Sequence, residues 1–173
     1  MKINVAFSAV KPGPIRVEAD ELTYDFHIMV RVELERALIE GSMGVAELPE
    51  AWNAAMQAGL GVAVPEDRLG VLQDVHWSTG QIGTFCNYTV GNVMAAQMFA
   101  AANQRPGVTS AIECGDYGPL RDWLTQSLYR HGRRFNRKTV LQQATGSGDD
   151  AGPYLRYLTD KYTALYQLDD AST

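Results

Sequence analysis

The chain has 173 residues, 46% of them hydrophobic and 20% charged, with a net charge of -5. That size and balance suit one ordinary domain with a substantial core and exclude disordered and collagen-like chains. The acidic balance gives no electrostatic reason to expect nucleic acid or an anionic membrane as partner.

Residues 1–14 read as a connector or a truncated N-terminal segment, weakly apolar and ending in Lys11-Pro12-Gly13-Pro14, which stops any regular element. Residues 18–40 predict a long helix with Leu22, Phe26, Met29, Val30, Ala37 and Leu38 on one face, closed by Gly41 as a C-cap residue. Tyr24, Ile28, Val32 and Ile39 add a second apolar stripe. A helix apolar on two sides is normally covered on two sides, so it belongs at the centre of a larger helical body, and the isolated chain should expose hydrophobic surface and self-associate. After a turn containing Pro49, residues 51–60 predict a short helix closed by Gly59, Gly61 and Pro65. Residues 70–87 follow neither helical nor strand periodicity. Helical patterns return over 88–103, 109–114, 119–130, 137–145 and 153–168. Pro119 and Pro153 fit first helical positions, Asn136 fits an N-cap, and Leu155, Leu158, Tyr162 and Leu165 recur at helical spacing in the last segment. Strand-like alternation and internal repeats are absent, so the fold class is all-α.

Cys86 and Cys114 make no disulfide framework, and no apolar signal-peptide core follows Lys2, so a reducing cytoplasm is the expected location. The most apolar window, 90–102, is interrupted by Gly91, Asn92 and Gln97 and is too short to span a bilayer. The basic group Arg130, His131, Arg133 and Arg134 reads as a solvated helix end whose cations face the negative pole of the macrodipole, with phosphate binding as the alternative.

Two segments could carry chemistry. Arg16 stands just before a helix whose first turn holds Glu18, Asp20 and Glu21. It is either a solvent-facing arginine at a helix start or one whose planar fork grips a carboxylate. In Gly70-Val71-Leu72-Gln73-Asp74-Val75-His76-Trp77 a histidine lies two positions from an acid in a glycine-flanked loop. An acid can orient an imidazole that stabilises a developing oxyanion, and a structural role is the alternative. Tyr88 could supply a phenol donor to the same place or serve as a core tyrosine. Metal-ligand spacing is missing: His27, His76 and His131 are far apart and no His-Glu-x-x-His occurs.

Ile15-Arg16-Val17-Glu18-Ala19-Asp20 and Gly70-Val71-Leu72-Gln73-Asp74-Val75-His76-Trp77 resemble two signature motifs, Ile-Arg-x-x-Ala-Asp and Gly-x-x-Gln-Asp-x-His-Trp, of the thermostable (Taq) carboxypeptidase family. The similarity continues through Glu33-Leu34-Glu35-Arg36-Ala37-Leu38-Ile39-Glu40-Gly41, Leu48-Pro49-Glu50-Ala51-Trp52-Asn53, Tyr88-Thr89-Val90-Gly91-Asn92 and His131-Gly132-Arg133-Arg134. The resemblance implies the helical C-terminal part of a larger zincin-like fold over residues 15–173, in a cytoplasmic, often homodimeric zinc enzyme that removes C-terminal residues from peptides. Family members hold zinc through a His-Glu-x-x-His helix and a further glutamate N-terminal to the region matched here, so no zinc is expected on this chain alone. By resemblance, Arg16 helps bind the substrate's terminal carboxylate, His76 and Tyr88 help stabilise the tetrahedral intermediate, and Gln73 and Asp74 hold the loop. Where relatives usually run Gly-Tyr-Phe-Pro-Thr-Tyr, this chain has Gly83-Thr84-Phe85-Cys86-Asn87-Tyr88, so the catalytic phenol falls either to Tyr88 or to the position held by Thr84. The implied function is a carboxypeptidase fragment, inactive alone. The alternative is a non-catalytic helical module that binds peptide carboxylates or pairs with a separate zinc-bearing half.

Overall fold

A computed structural model describes residues 8–168, and every regular element among them is helical. The chain divides into two compact units, Met1–Thr89 and Val90–Thr173. No described helix is long and apolar enough to cross a membrane.

In the first unit, a 3-10 turn at Arg16–Glu18 precedes helix α1, Tyr24–Ile39. The pattern over 18–40 thus runs past the true start by six residues, and the reason is Asp20. Its carboxylate accepts from the backbone N–H groups of Leu22 and Thr23 at 3.1 and 3.0 Å and from Thr23 Oγ1 at 2.9 Å. An aspartate that captures its own downstream backbone builds a turn in competition with the helix. It also accepts from the N–H of Lys11 at 2.9 Å, which pins the described part of the expected connector.

The buried face of α1 is not the one that hydrophobicity outlines. Phe26, Met29 and Ile39 are exposed, whereas His27, Arg31 and Glu35 lie buried beside Ile28, Val30 and Leu34. Helix α2, Leu48–Leu60, begins earlier than 51, because Pro49 sits inside its first turn, where a missing N–H costs nothing. Gly61 ends it in the left-handed conformation. Val30 and Leu34 of α1 pack with Leu48, Trp52 and Met56 of α2 in one core, to which Val64, Val71 and Trp77 add. Burying residues as large as Trp52 and Met56 stabilises the unit by about 1.5–3 kcal/mol each.

The irregular stretch contains 3-10 turns at Asp67–Leu69 and Trp77–Thr79. Gly70 lies under this stretch in close contact with the core: a Cβ there would come within 2.7 Å of Val64 Cγ1 and 3.4 Å of the Trp52 ring. Helix α3, Cys86–Asn103, begins two residues before the segment predicted from 88, and its first turn belongs to the first unit. Both cysteines are exposed free thiols.

The second unit holds the rest of α3 with α4, Val108–Glu113, α5, Gly118–Ser127, α6, Arg137–Thr145, and α7, Gly152–Tyr166. Met98, Ala102, Val108, Trp123, Val140 and Leu141 form its core. Asn136 caps α6 by accepting from the Thr139 N–H at 2.9 Å, as its position predicts. On α7, Tyr162 is buried and Leu158 and Leu165 are half-buried, as their spacing predicts, whereas Leu155 is exposed and Tyr154 is buried in its place. The basic group lies at and beyond a 3-10 turn, Tyr129–His131, with the Arg134 guanidinium 5.4 Å over the Phe135 ring, within cation–π range.

Candidate active site

The five residues singled out from sequence, Arg16, Gln73, Asp74, His76 and Tyr88, meet in the first unit. Gln73 fastens the loop to the segment before α1. Its amide donates to the carbonyls of Pro14 and Leu69 at 2.9 and 3.0 Å, and its Oε1 accepts from the Arg16 N–H at 2.8 Å. A side chain that satisfies three backbone groups in two separate segments substitutes for a sheet or helix ladder in an irregular region.

Asp74 is the hub. Arg16 donates to its Oδ1 from Nε at 2.9 Å and from Nη2 at 2.6 Å, and Arg31 donates from Nε to Oδ2 at 2.6 Å. The three side chains are at most 10% exposed, Arg31 not at all. Burial alone would raise the Asp74 pKa, but the hydrogen bonds and charges of the two guanidinium groups outweigh it and hold the carboxyl below its ordinary range. Arg31 completes its surroundings with the His27 carbonyl at 2.7 Å and the faces of Trp52 and Phe85 at 4.6 and 5.6 Å, leaving its buried Nη2 without a hydrogen-bond partner. One carboxylate between two buried arginines leaves a local excess of positive charge.

Arg16 also donates from Nη1 to Tyr24 Oη at 3.1 Å and lies 5.0 Å over the Tyr88 ring. Asp74 does not hydrogen-bond His76: Oδ1 stands 3.9 Å from Nδ1, beyond bonding reach. The imidazole is instead held from its other side, with Nε2 3.0 Å from Tyr88 Oη and the ring 4.4 Å from the buried Phe85. His76 is 8% exposed and Tyr88 40%, so the pair links the interior to solvent. Thr84, the other candidate for the phenol position, turns its hydroxyl to the Gln81 carbonyl at 3.5 Å.

Residues 2–162 match the family described as carboxypeptidase Taq (M32) metallopeptidase. The chain belongs to that family. Among its M32 relatives, thermostable carboxypeptidase 1 of Thermus thermophilus is 44% identical over 94% of this chain, and carboxypeptidase 1 of Bacillus subtilis is 38% identical over 94%. The crystal structure of the M32 carboxypeptidase from Deinococcus radiodurans R1 is similar with a TM-score of 0.91 and 45% identity, covering 94% of this chain. The chain spans about a third of these proteins: 32% of the Thermus protein and 33% of the other two.

Sequence reasoning missed Arg31, Glu35 and Tyr24 as parts of this site. The signal was present: Tyr24, His27, Arg31 and Glu35 are spaced by three and four residues and share one helix face. A polar stripe along an otherwise apolar helix marks a buried network, since an exposed face would show charges scattered around it. Among the described residues no group of three or more His, Cys, Asp or Glu is placed to hold a metal ion. Of the described histidines, His76 engages Tyr88 and His27 lies sealed in α1, an arrangement that does not fit a zinc centre at either ring.

Proposed function

We propose that this chain forms one wall of the substrate cleft of an M32 zinc carboxypeptidase, acting on peptide C-termini, and that the zinc ligands come from the N-terminal region of the longer family members. The observation that supports this most is the convergence of Arg16, Asp74, His76 and Tyr88 within one unit, ending in a half-exposed phenol. Arg16 commits three N–H groups to Asp74 and Tyr24, and a guanidinium has five, so it keeps donors for a substrate carboxylate while Asp74 fixes its plane. With the proton on His76 Nε2, the imidazole donates to Tyr88 Oη and frees the phenol hydrogen for an oxyanion on the scissile carbonyl. Gln73 and Asp74 hold both groups at a fixed spacing. We place the enzyme in the cytoplasm as a homo-oligomer, and the chain by itself lacks peptidase activity.

Pairing with a zinc-bearing half is favoured by exposed apolar side chains beside the motif residues: Val17 at 75%, Leu72 at 69% and Val75 at 67%. The test is reconstitution. This chain is mixed with the part of the Thermus relative that it does not match, and release of the terminal amino acid from a blocked dipeptide is followed. Restored hydrolysis should show a raised KM in Arg16→Ala and a kcat lower by roughly a hundredfold in His76→Ala. Unchanged kinetics in both variants would contradict the assigned roles.

A further inference from the structure

A buried carboxylate ties both ends of the exposed loop after His76 to helix α1. Glu35 is 8% exposed. Its Oε2 accepts from Trp77 Nε1 at 2.7 Å, and its Oε1 accepts from the backbone N–H of Gly83 at 2.5 Å. Trp77 directly follows His76; Gly83 lies just ahead of Phe85 and of the first turn of α3, which carries Tyr88. Between the two anchors, residues 78–82 are exposed, and the chain reverses at Gly80 and Gly83, which have φ of 75° and 74°. Phe85 then inserts between the rings, 4.4 Å from His76 and 5.7 Å edge-on from Trp77. The loop is closed within itself by the Gln81 N–H donating to the His76 carbonyl at 2.8 Å, and Glu35 fixes this closed loop to α1 on either side.

We infer that Glu35 is a positioning residue for the His76–Tyr88 pair, acting through Trp77 and Gly83 and touching neither the imidazole nor the phenol itself. The inference rests on the proposal that this pair meets the substrate. Two donors approach the two oxygens separately, which suits a carboxylate and no other side chain of that length. A glutamine in the same place can accept through one oxygen only, and its NH₂ would confront the second N–H. Charge-assisted bonds of this kind are roughly twice as strong as neutral ones, so the loop should be held well above the stability of an ordinary exposed turn.

The test is nuclear magnetic resonance on the full chain, wild type against Glu35→Gln and Trp77→Phe. In the wild type the Gly83 amide and the Trp77 indole N–H should be protected from hydrogen exchange although their loop is exposed. In Glu35→Gln, exchange at Gly83 should accelerate roughly ten- to a hundredfold, and the His76 ring nitrogens and the Tyr88 ring signals should shift as the Nε2 to Oη bond loosens. Amides of Trp52 and Met56 in α2 should stay protected, which separates loop release from unfolding. Trp77→Phe keeps an aromatic ring and removes one donor, so it should retain Gly83 protection and shift His76 less. Should Glu35→Gln fail to fold, the wild-type exchange rates and the Trp77→Phe spectra decide. Two results would overturn the inference: the Gly83 amide and the Trp77 indole N–H exchanging at the rate of unprotected groups, or a released loop that leaves the His76 and Tyr88 signals unmoved. Because these signals are read without substrate, a failed reconstitution would count against the carboxypeptidase reading and would not bear on the anchoring of the loop by Glu35.

Discussion

His27 is the residue whose setting makes the most specific demand on pH. It is fully buried, and neither ring nitrogen has a hydrogen-bond partner. Burial, then the charges of Arg31 and Arg16, push its pKa down from 6.5 to about 4, against weaker opposite pulls from Asp74 and Asp20. The folded form thus binds a proton less readily than the unfolded form. Stability from this group is complete above about pH 6.5 and is lost as the pH falls toward about 4, on the order of 3 kcal/mol in all. His27→Leu removes the titration and two unsatisfied polar atoms, so it should be at least as stable at pH 7 and lose less between pH 6.5 and 4. Urea unfolding of both chains across that range measures the difference, and parallel curves would show that His27 is not a buried neutral imidazole. Legibility in the sequence also differs residue by residue. Arg16, Gln73, Asp74, His76 and Tyr88 could be read because their motifs are short and local. Arg31 and Glu35 left only a fainter trace, a polar stripe with Tyr24 and His27 along α1, which an apolar helix invites one to assign to solvent. Only packing shows that they face inward.

Among the elements, α1 and the loop around Gly70 do most to place the site. Asp20 delays the start of α1 through a turn that periodicity does not see, whereas Asn136 and Gly61 mark helix ends that follow directly from local chemistry. Gly70 has a tertiary reason to be glycine. A methyl group there meets Val64 at 2.7 Å and the Trp52 ring at 3.4 Å, in the wall between the motif loop and the core. Gly70→Ala should therefore destabilise the first unit by about 1–3 kcal/mol through overpacking. Gly59→Ala is the control: its Cβ meets nothing within 4 Å, and it lies inside α2, where alanine is the better helix former. Denaturant midpoints that fall equally in both variants would contradict the close approach. No local sequence pattern distinguishes these two glycines, because the difference lies in which side chains the fold brings against them.

For the molecule as a whole, the exposed apolar side chains of α1 matter most. Phe26 and Met29 are 44% and 50% exposed on a helix whose buried side carries both the apolar core residues Ile28, Val30 and Leu34 and a charged network. Such a face has the character of an interface, and the chain spans only about a third of its M32 relatives. The isolated chain should self-associate and bind a hydrophobic dye; light scattering that shows a monodisperse monomer with no dye binding would contradict this. The all-helical fold was legible from the absence of strand alternation, while the division into two units was not, since it falls within α3, where composition does not change. We propose that a substrate-handling wall stands here without a metal centre, and zinc content together with release of a terminal amino acid from a blocked dipeptide by the purified chain alone tests this. The expected result is no stoichiometric zinc and hydrolysis no greater than background. One zinc per chain with chelator-sensitive hydrolysis would contradict it.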